Sequence, residues 1–295
     1  MMRIGTRGSP LALAQAYEVK QRLEASWPEL AGQIEVVIID TKGDQILDRP
    51  LAEIGGKGLF TEELEAQLRD GRVDLAVHSM KDMPTELPEG LIVPCLLPRE
   101  DPRDVLLSRD GLRLAELPPG AVVGTASLRR RAQVLELRPD LEVVTFRGNV
   151  QTRIRKLQEG QADATLLALA GLNRLGLQAE ATQIFEVDEV LPAVAQGAIG
   201  VECRSDDAET LRRLAAIHCD QTAICVTAER AMLAALDGSC RTPIAGYATL
   251  AEDQLTLAGM LEGGEENARA VMSGAAADAA GLGRRLAARL RELLA

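Results

Sequence analysis

The segment HSMKDMP, residues 78–84, places a histidine, a serine, a lysine and an aspartate directly after the apolar run Val73-Asp74-Leu75-Ala76-Val77. Such a run reads as a buried strand. Open α/β sheets bind ligands beyond the carboxyl ends of their strands, which is where these polar residues fall. Asp82 has two readings. As structure it is a turn or cap residue before Met83-Pro84; as chemistry it is a carboxylate that stabilises a developing cation or passes a proton. His78 reads as a packed, hydrogen-bonded strand-end residue, because His78, Ser79 and Asp82 stand too close on one tip to form a Ser-His-Asp relay. Cys240 is the second reactive group. It lies in a Gly-Ser-Cys-Arg-Thr-Pro loop beside Arg241, where a thiolate is favoured and reachable, and reads as a nucleophile or an attachment point. Cys95, Cys203 and Cys225 sit in apolar runs and read as small core residues.

Cationic residues recur in comparable places. Arg7 and Ser9 follow the first strand, Lys42 the second, and Ser79 and Lys81 the third. In the second half, Thr125, Ser127, Arg129, Arg130 and Arg131 follow one strand, while Arg147, Arg153, Arg155 and Arg174 come after others. Several fall near helix N-termini, where free N–H groups and the helix dipole favour anions. One such arginine alone is an ordinary solvated helix charge. The recurrent set points to a cleft for a polyanionic small molecule. Carboxylates suit it, since a guanidinium grips them bidentately. Phosphate is the competing ligand, but no GxxxxGK[ST] occurs, and Gly55-Gly56-Lys57-Gly58 is too short for one; it reads as a mobile loop with one useful lysine.

The elements that must position these residues alternate between strand and helix. Residues 4–6, 36–40 and 75–77 read as strands, residues 11–25 and 62–69 as helices. Ser9-Pro10 caps the first helix and Thr61 caps the second. The pattern then recurs: residues 121–125 resemble 4–6, residues 143–148 resemble 38–43, and residues 160–166 resemble 71–77. Two related α/β domains with mainly parallel sheets follow from this. Beyond residue 216 a helix over 222–236, strands over 245–250, 254–260 and 268–272, and a helix over 277–294 make a small α+β domain. The expected boundaries are 1–97 with 198–216, 103–191, and 220–295.

Composition bounds the function. The 295 residues are 46% hydrophobic and only 2% aromatic, which disfavours stacking platforms for bases. A net charge of −11 argues against general nucleic-acid binding. Five cysteines without a CxxC pair, and only two histidines, give little support to a metal site. No stretch is apolar enough to span a membrane, and the sequence enters its first strand without a signal-like segment. These features lead to the expectation of a cytoplasmic protein with reduced thiols.

Taken in order, TRGSPLALAQA at 6–16, GGKGLF at 55–60, HSMKD at 78–82, GTASLRRR at 124–131, FRGNVQTR at 146–153, LPAVAQGAIGVECR at 191–204 and GSC at 238–240 resemble the porphobilinogen deaminase (hydroxymethylbilane synthase) family. The resemblance implies two domains like periplasmic binding proteins and a cofactor-bearing third. It implies an enzyme that joins four porphobilinogen molecules with loss of ammonia. The assembly grows on a dipyrromethane cofactor held by a thioether to Cys240. It places Asp82 as the catalytic acid that assists loss of the aminomethyl nitrogen and stabilises the azafulvene-type cation. It assigns Ser79, Lys81, Asp82, Thr125, Ser127, Arg129, Arg130, Arg147 and Gly148 to the cofactor, and Arg7, Ser9, Lys57, Arg147, Arg153, Arg174 and Gln196 to the substrate. It further implies a monomer that passes its product to uroporphyrinogen-III synthase, with no metal, nucleic acid or membrane. Gly8, Glu53 and Ala126 depart from the family pattern without touching the implied chemistry. The competing reading is a non-catalytic two-domain anion-binding protein, which leaves the loop cysteine without a role.

Overall fold

In the computed structural model the described residues are 1–41, 43, 61–237, 243–264 and 266–295. They fall into two compact units, one of residues 1–41, 43, 61–100 and 197–223, the other of residues 101–196, 224–237, 243–264 and 266–295.

The first unit is built on a five-stranded sheet. Its strands are β1 (Met2–Thr6), β2 (Ile34–Ile38), β3 (Leu75–Ser79), β4 (Leu91–Leu96) and β10 (Ile199–Arg204), in the order β2-β1-β3-β10-β4. Strands β1, β2 and β3 are parallel, and β10 runs antiparallel to both β3 and β4. One strand of five is therefore reversed. The sheet is buried on both faces, as parallel strands require. Helix α1 (Pro10–Ser26) brings Ala16, Val19 and Leu23 onto Ile4, Leu75 and Val77. Helix α2 (Glu62–Arg69) brings Leu64 and Leu68 onto Ile39, Val73 and Ala76, and helix α6 (Ala208–Ala215) adds Leu214 to the core beneath α1.

The second unit repeats the arrangement. Strands β5 (Asp104–Ser108), β6 (Val122–Gly124), β7 (Glu142–Val144), β8 (Ala164–Ala168) and β9 (Gln183–Ile184) take the order β7-β6-β8-β5-β9, with β5 reversed. The sequence likeness of 121–125 to 4–6 is thus a likeness of β6 to β1. Helix α3 (Leu128–Leu137) covers one face through Val134, and helix α4 (Val150–Gln158) covers the other through Leu157. Helix α5 (Leu169–Leu175) follows β8 directly. The same unit holds an antiparallel sheet of β11 (Ile244–Ala251), β12 (Gln254–Leu261) and β13 (Ala268–Ala275). Before it comes helix α7 (Asp220–Ala235), and after it helix α8 (Ala279–Leu294).

Three local expectations change. The second strand covers 34–38 rather than 36–40, because its register with β1 pairs Met2 with Ile34 and Thr6 with Ile38. Thr61 stands at the N-cap of α2 but its side chain makes no capping bond; it is buried instead. The last helix is preceded by a 3₁₀ turn at Ala276–Asp278.

One glycine decides the geometry of the β3 tip. Gly200 pairs with His78 across the ladder, and a Cβ there would collide with Met80 Sδ. Met80, buried at 4% exposure, opens the turn that carries Asp82. A Gly200→Ala variant should therefore lose about 1–3 kcal/mol from overpacking. The check is a denaturation midpoint; a variant as stable as the parent would contradict the packing described.

Candidate active site

In the first unit the polar groups meet at the carboxyl ends of β1 and β3. Ser9 caps α1, its hydroxyl accepting from the Ala12 amide at 3.3 Å, and Pro10 occupies the first helical position. One turn further, Gln15 lies on the buried stripe of α1 at 4% exposure. Its Nε2 donates to Ser79 Oγ at 2.8 Å, while the Ser79 hydroxyl lies 3.2 Å from Gln15 Oε1. Arg7, Ser9, Gln15, Thr61, His78, Ser79 and Asp82 line one pocket. His78 is buried in its wall, its Nε2 hydrogen-bonded to the buried Glu202 side chain, 2.9 Å from Oε2. Asp82 and Lys81 are exposed. Among the described residues no hydrogen bond or ion pair engages the Asp82 carboxylate, so it is available to a ligand.

In the second unit the focus is Asp104, the first residue of β5, with 0% exposure. Arg129 Nη1 donates to its Oδ2 at 2.6 Å, and Arg130 Nη2 and Nε donate to its Oδ1 at 2.7 and 3.2 Å. Gln196 Nε2 adds a bond to Oδ1 at 2.9 Å. Both guanidiniums are only 5% exposed, and they also donate to the Leu191 and Leu166 carbonyls. Burial alone would push the Asp104 carboxyl up, but the two adjacent guanidiniums overrule it and hold the group well below the usual carboxylate range. Gln196 is aimed by its neighbour: Ala195 has φ +59, and its amide donates to the buried Glu229 carboxylate at 2.6 Å.

The remaining second-unit residues lie at the ends of β6, β7 and β8. Thr125 is buried and its hydroxyl accepts from the Ser127 amide at 3.1 Å; Ser127 caps α3 as Ser9 caps α1. Arg147 and Arg153 are half-buried, and Arg153 Nε donates to the Gly148 carbonyl at 2.9 Å. Arg174, in the last turn of α5, is half-buried. Two buried guanidinium N–H groups, Arg129 Nε and Arg147 Nη1, have no hydrogen-bond partner among the described residues. Buried donors of this kind call for an acceptor. Together with the excess of positive charge around Asp104, they fit a ligand bearing carboxylates, as a dipyrromethane does.

Cys240 and Lys57 lie outside the described residues. Burial pushes the Cys95 and Cys203 thiols up to about 12, so neither is a ready thiolate; Cys225 is buried. Among the described residues no His, Cys, Asp and Glu side chains cluster as a metal site would require, and no helix is long and apolar enough to cross a membrane. Sequence reasoning missed Gln15, Asp104 and Glu202. Gln15 was legible as a polar residue on the stripe Ala12, Ala16, Val19 and Leu23, and Asp104 as an acid opening the apolar run Val105-Leu106-Leu107. Glu202 gave a similar signal inside the apolar strand β10.

Replacing Asp104 by Ala leaves two buried guanidiniums without their counter-charge, so the variant should lose about 3–5 kcal/mol of stability. The Asp104 carboxyl lies below its unfolded value, about 3.9. Its stabilising share is therefore complete above that pH and disappears as the pH falls through the depressed folded value. Chemical denaturation at pH 7 measures the loss; a variant within about 1 kcal/mol of the parent would show the pair to be replaceable by packing.

Comparison with known proteins agrees with this chemistry. The family described as "Porphobilinogen deaminase, dipyromethane cofactor binding domain" matches residues 2–212, and "Porphobilinogen deaminase, C-terminal domain" matches residues 223–292. The chain is 58% identical over 292 residues to a porphobilinogen deaminase of Paracoccus denitrificans (strain Pd 1222), covering 98% of this chain and 93% of that protein. It is 59% identical over 255 residues to a chloroplastic porphobilinogen deaminase of Oryza sativa subsp. japonica, covering 86% and 71%. Among solved structures, the periplasmic VFT2 domain of Bordetella pertussis BvgS aligns at 17% identity and a TM-score of 0.42, over 73% of this chain and 86% of that one. A YaeC-family lipoprotein of Enterococcus faecalis aligns at 14% and 0.45, over 75% and 93%. The fold described above rests on its own strand orders and not on these distant likenesses. Family matches spanning both units, and relatives near 60% identity, show that the chain belongs to the porphobilinogen deaminase family.

Proposed function

We propose that this chain carries out the family's reaction, the head-to-tail condensation of four porphobilinogen molecules into hydroxymethylbilane, through the residues at its strand tips. The observation that carries the assignment of roles is Asp82. It is an exposed carboxylate without a hydrogen-bond or ion-pair partner among the described residues, in a pocket that also holds Arg7, Ser9 and Ser79. As the bond between the aminomethyl carbon and its nitrogen breaks, ammonia leaves and positive charge spreads over the pyrrole. A carboxylate held beside that charge stabilises it more than it stabilises the substrate, which is what accelerates the step.

The cations serve a different purpose. Each pyrrole carries an acetate and a propionate, so every addition brings two more carboxylates. Arg7 with Ser9, and Arg153 with Arg174, are assigned to substrate carboxylates, with Lys57 and Gln196 in the same group. Thr125, Ser127, Arg129, Arg130, Arg147 and Gly148 are assigned to the cofactor, together with Ser79 and Lys81. The orphan N–H groups of Arg129 and Arg147 supply donors for its carboxylates. Cys240 is assigned as the thioether anchor. When bound, the dipyrromethane supplies the terminal pyrrole carbon to which the first substrate is joined. A monomeric enzyme in the cytoplasm, handing its product to uroporphyrinogen-III synthase, completes the reading.

The test is incubation of the purified chain with porphobilinogen, following ammonia and bilane together. One hydroxymethylbilane for about four ammonia is expected from the reaction's own balance. An Asp82→Asn variant keeps the side chain's size and loses its charge. It should lose turnover by about 10²–10³-fold, the scale for removing one group that stabilises charge in the transition state, while its unfolding curve stays that of the parent. Near-parental turnover in that variant would refute the role of Asp82.

A further inference from the structure

Beneath the Asp82 pocket lies a buried acidic and imidazole cluster that the functional reading does not use. His78, Glu202 and Glu65 are exposed by 6%, 0% and 4%. His78 Nε2 and Glu202 Oε2 are 2.9 Å apart. Across the β3–β10 ladder His78 pairs with Gly200 and Ala76 with Glu202, so the two side chains share a face and meet diagonally. Glu202 Oε1 and Glu65 Oε1 are buried without a hydrogen-bond partner among the described residues. Burial pushes the Glu65 carboxyl up; the Thr61 hydroxyl opposes this and the charge of Glu202 adds to it. Arg69 and Cys203 are the other ionisable groups near the cluster, with Arg7 and Asp82 in the pocket above.

A buried pair of ionisable side chains is an expensive way to hold a strand in place. Apolar residues of the same volume would serve stability equally well or better. What the polar pair adds is direction. The tip of β3 is pinned on one side by Ser79 on Gln15 and on the other by His78 on Glu202. Immediately beyond, the Met80 amide donates to the Ala198 carbonyl, and Met80 fills the notch over Gly200. Asp82 comes two residues later, and its side chain has no anchor among the described residues. Its location is therefore inherited from the backbone that these contacts fix.

We propose that Glu202 is a positioning residue, acting through His78 to set where the β3 tip presents the Asp82 carboxylate. The proposal rests on the assignment of Asp82 to the chemical step. Glu202→Gln retains shape but offers His78 only a neutral amide, a weaker hydrogen-bond partner than a carboxylate; Glu202→Met retains volume alone. In both, the peptide spanning residues 76–84 should exchange its amide hydrogens about tenfold faster or more, with the rest of the first unit unchanged. With porphobilinogen, Glu202→Gln should keep its cofactor and its KM within about twofold, and lose kcat by about 10- to 100-fold, as displacement of a catalytic group does.

The decisive comparison uses Asp82→Glu, which already displaces the carboxylate. Adding Glu202→Gln to it should cost no more than about a further twofold, because residues acting through one another are not additive. Full additivity, parental kcat in Glu202→Gln, or unchanged exchange at 76–84 would each overturn the proposal. Should neither Glu202 variant fold, His78→Gln carries the same readouts. The exchange measurement needs no turnover, so it stands even if the parent chain forms no bilane, an outcome that would sink the assignment of Asp82 instead.

Discussion

A carboxylate removed from water must be met by positive charge, and Asp104 is met by two guanidiniums and an amide in an interior that excludes solvent. Much of the second unit follows from that requirement. Arg129 and Arg130 open helix α3, so the helix start is tied to the start of β5. Gln196 reaches the same oxygen from a turn whose Ala195 adopts a left-handed backbone angle, and Glu229 compensates by accepting that residue's amide. Glu229 also accepts from Ala248 on β11, so one buried acid joins the turn, helix α7 and the antiparallel sheet. Two positive charges against one negative leave this network electrically incomplete, which is consistent with the anionic ligand proposed for this unit.

The first unit applies the same sheet to the opposite need. Its order and its single reversed strand match those of the second unit, and a serine caps the first helix in each. Where the second unit buries an acid among bases, the first exposes an acid near a base. Among the described residues Asp82 has no hydrogen-bond or ion-pair partner, while the residues before it are fastened on both faces of the strand. A tightly held backbone beneath a carboxylate that no described residue pairs is what the role proposed for Asp82, acting on charge developing in a ligand, calls for.

Much of this was legible in the sequence because the signals are local. Ser9-Pro10 and Ser127 announce helix starts, and the likeness of 121–125 to 4–6 announces a repeated βα unit. The reversed strands were not legible, since the pairing of β10 with β3 joins residues more than a hundred positions apart and depends on no local motif. Thr61 has the right residue type for a cap, but its side chain is buried at the pocket wall and makes no capping bond. In the site, Asp82, Ser79 and the arginines were read from residue type and position at strand ends. Gln15 and Glu202 were missed because a polar residue inside an apolar pattern shows only that it has a partner, and the partners, Ser79 and His78, lie 64 and 124 residues away. The near-complete burial of Arg129 and Arg130 was likewise hidden, as it depends on Asp104.

In the function proposed, cationic strand tips and the Asp82 carboxylate serve an anionic pyrrole chain anchored at Cys240. The most direct measurement is the intact mass of the denatured protein, with peptide mapping around that cysteine. Extra mass equal to two condensed pyrroles, confined to the Cys240 peptide, is the expected result. An unmodified chain that also gains no mass on incubation with porphobilinogen would contradict it.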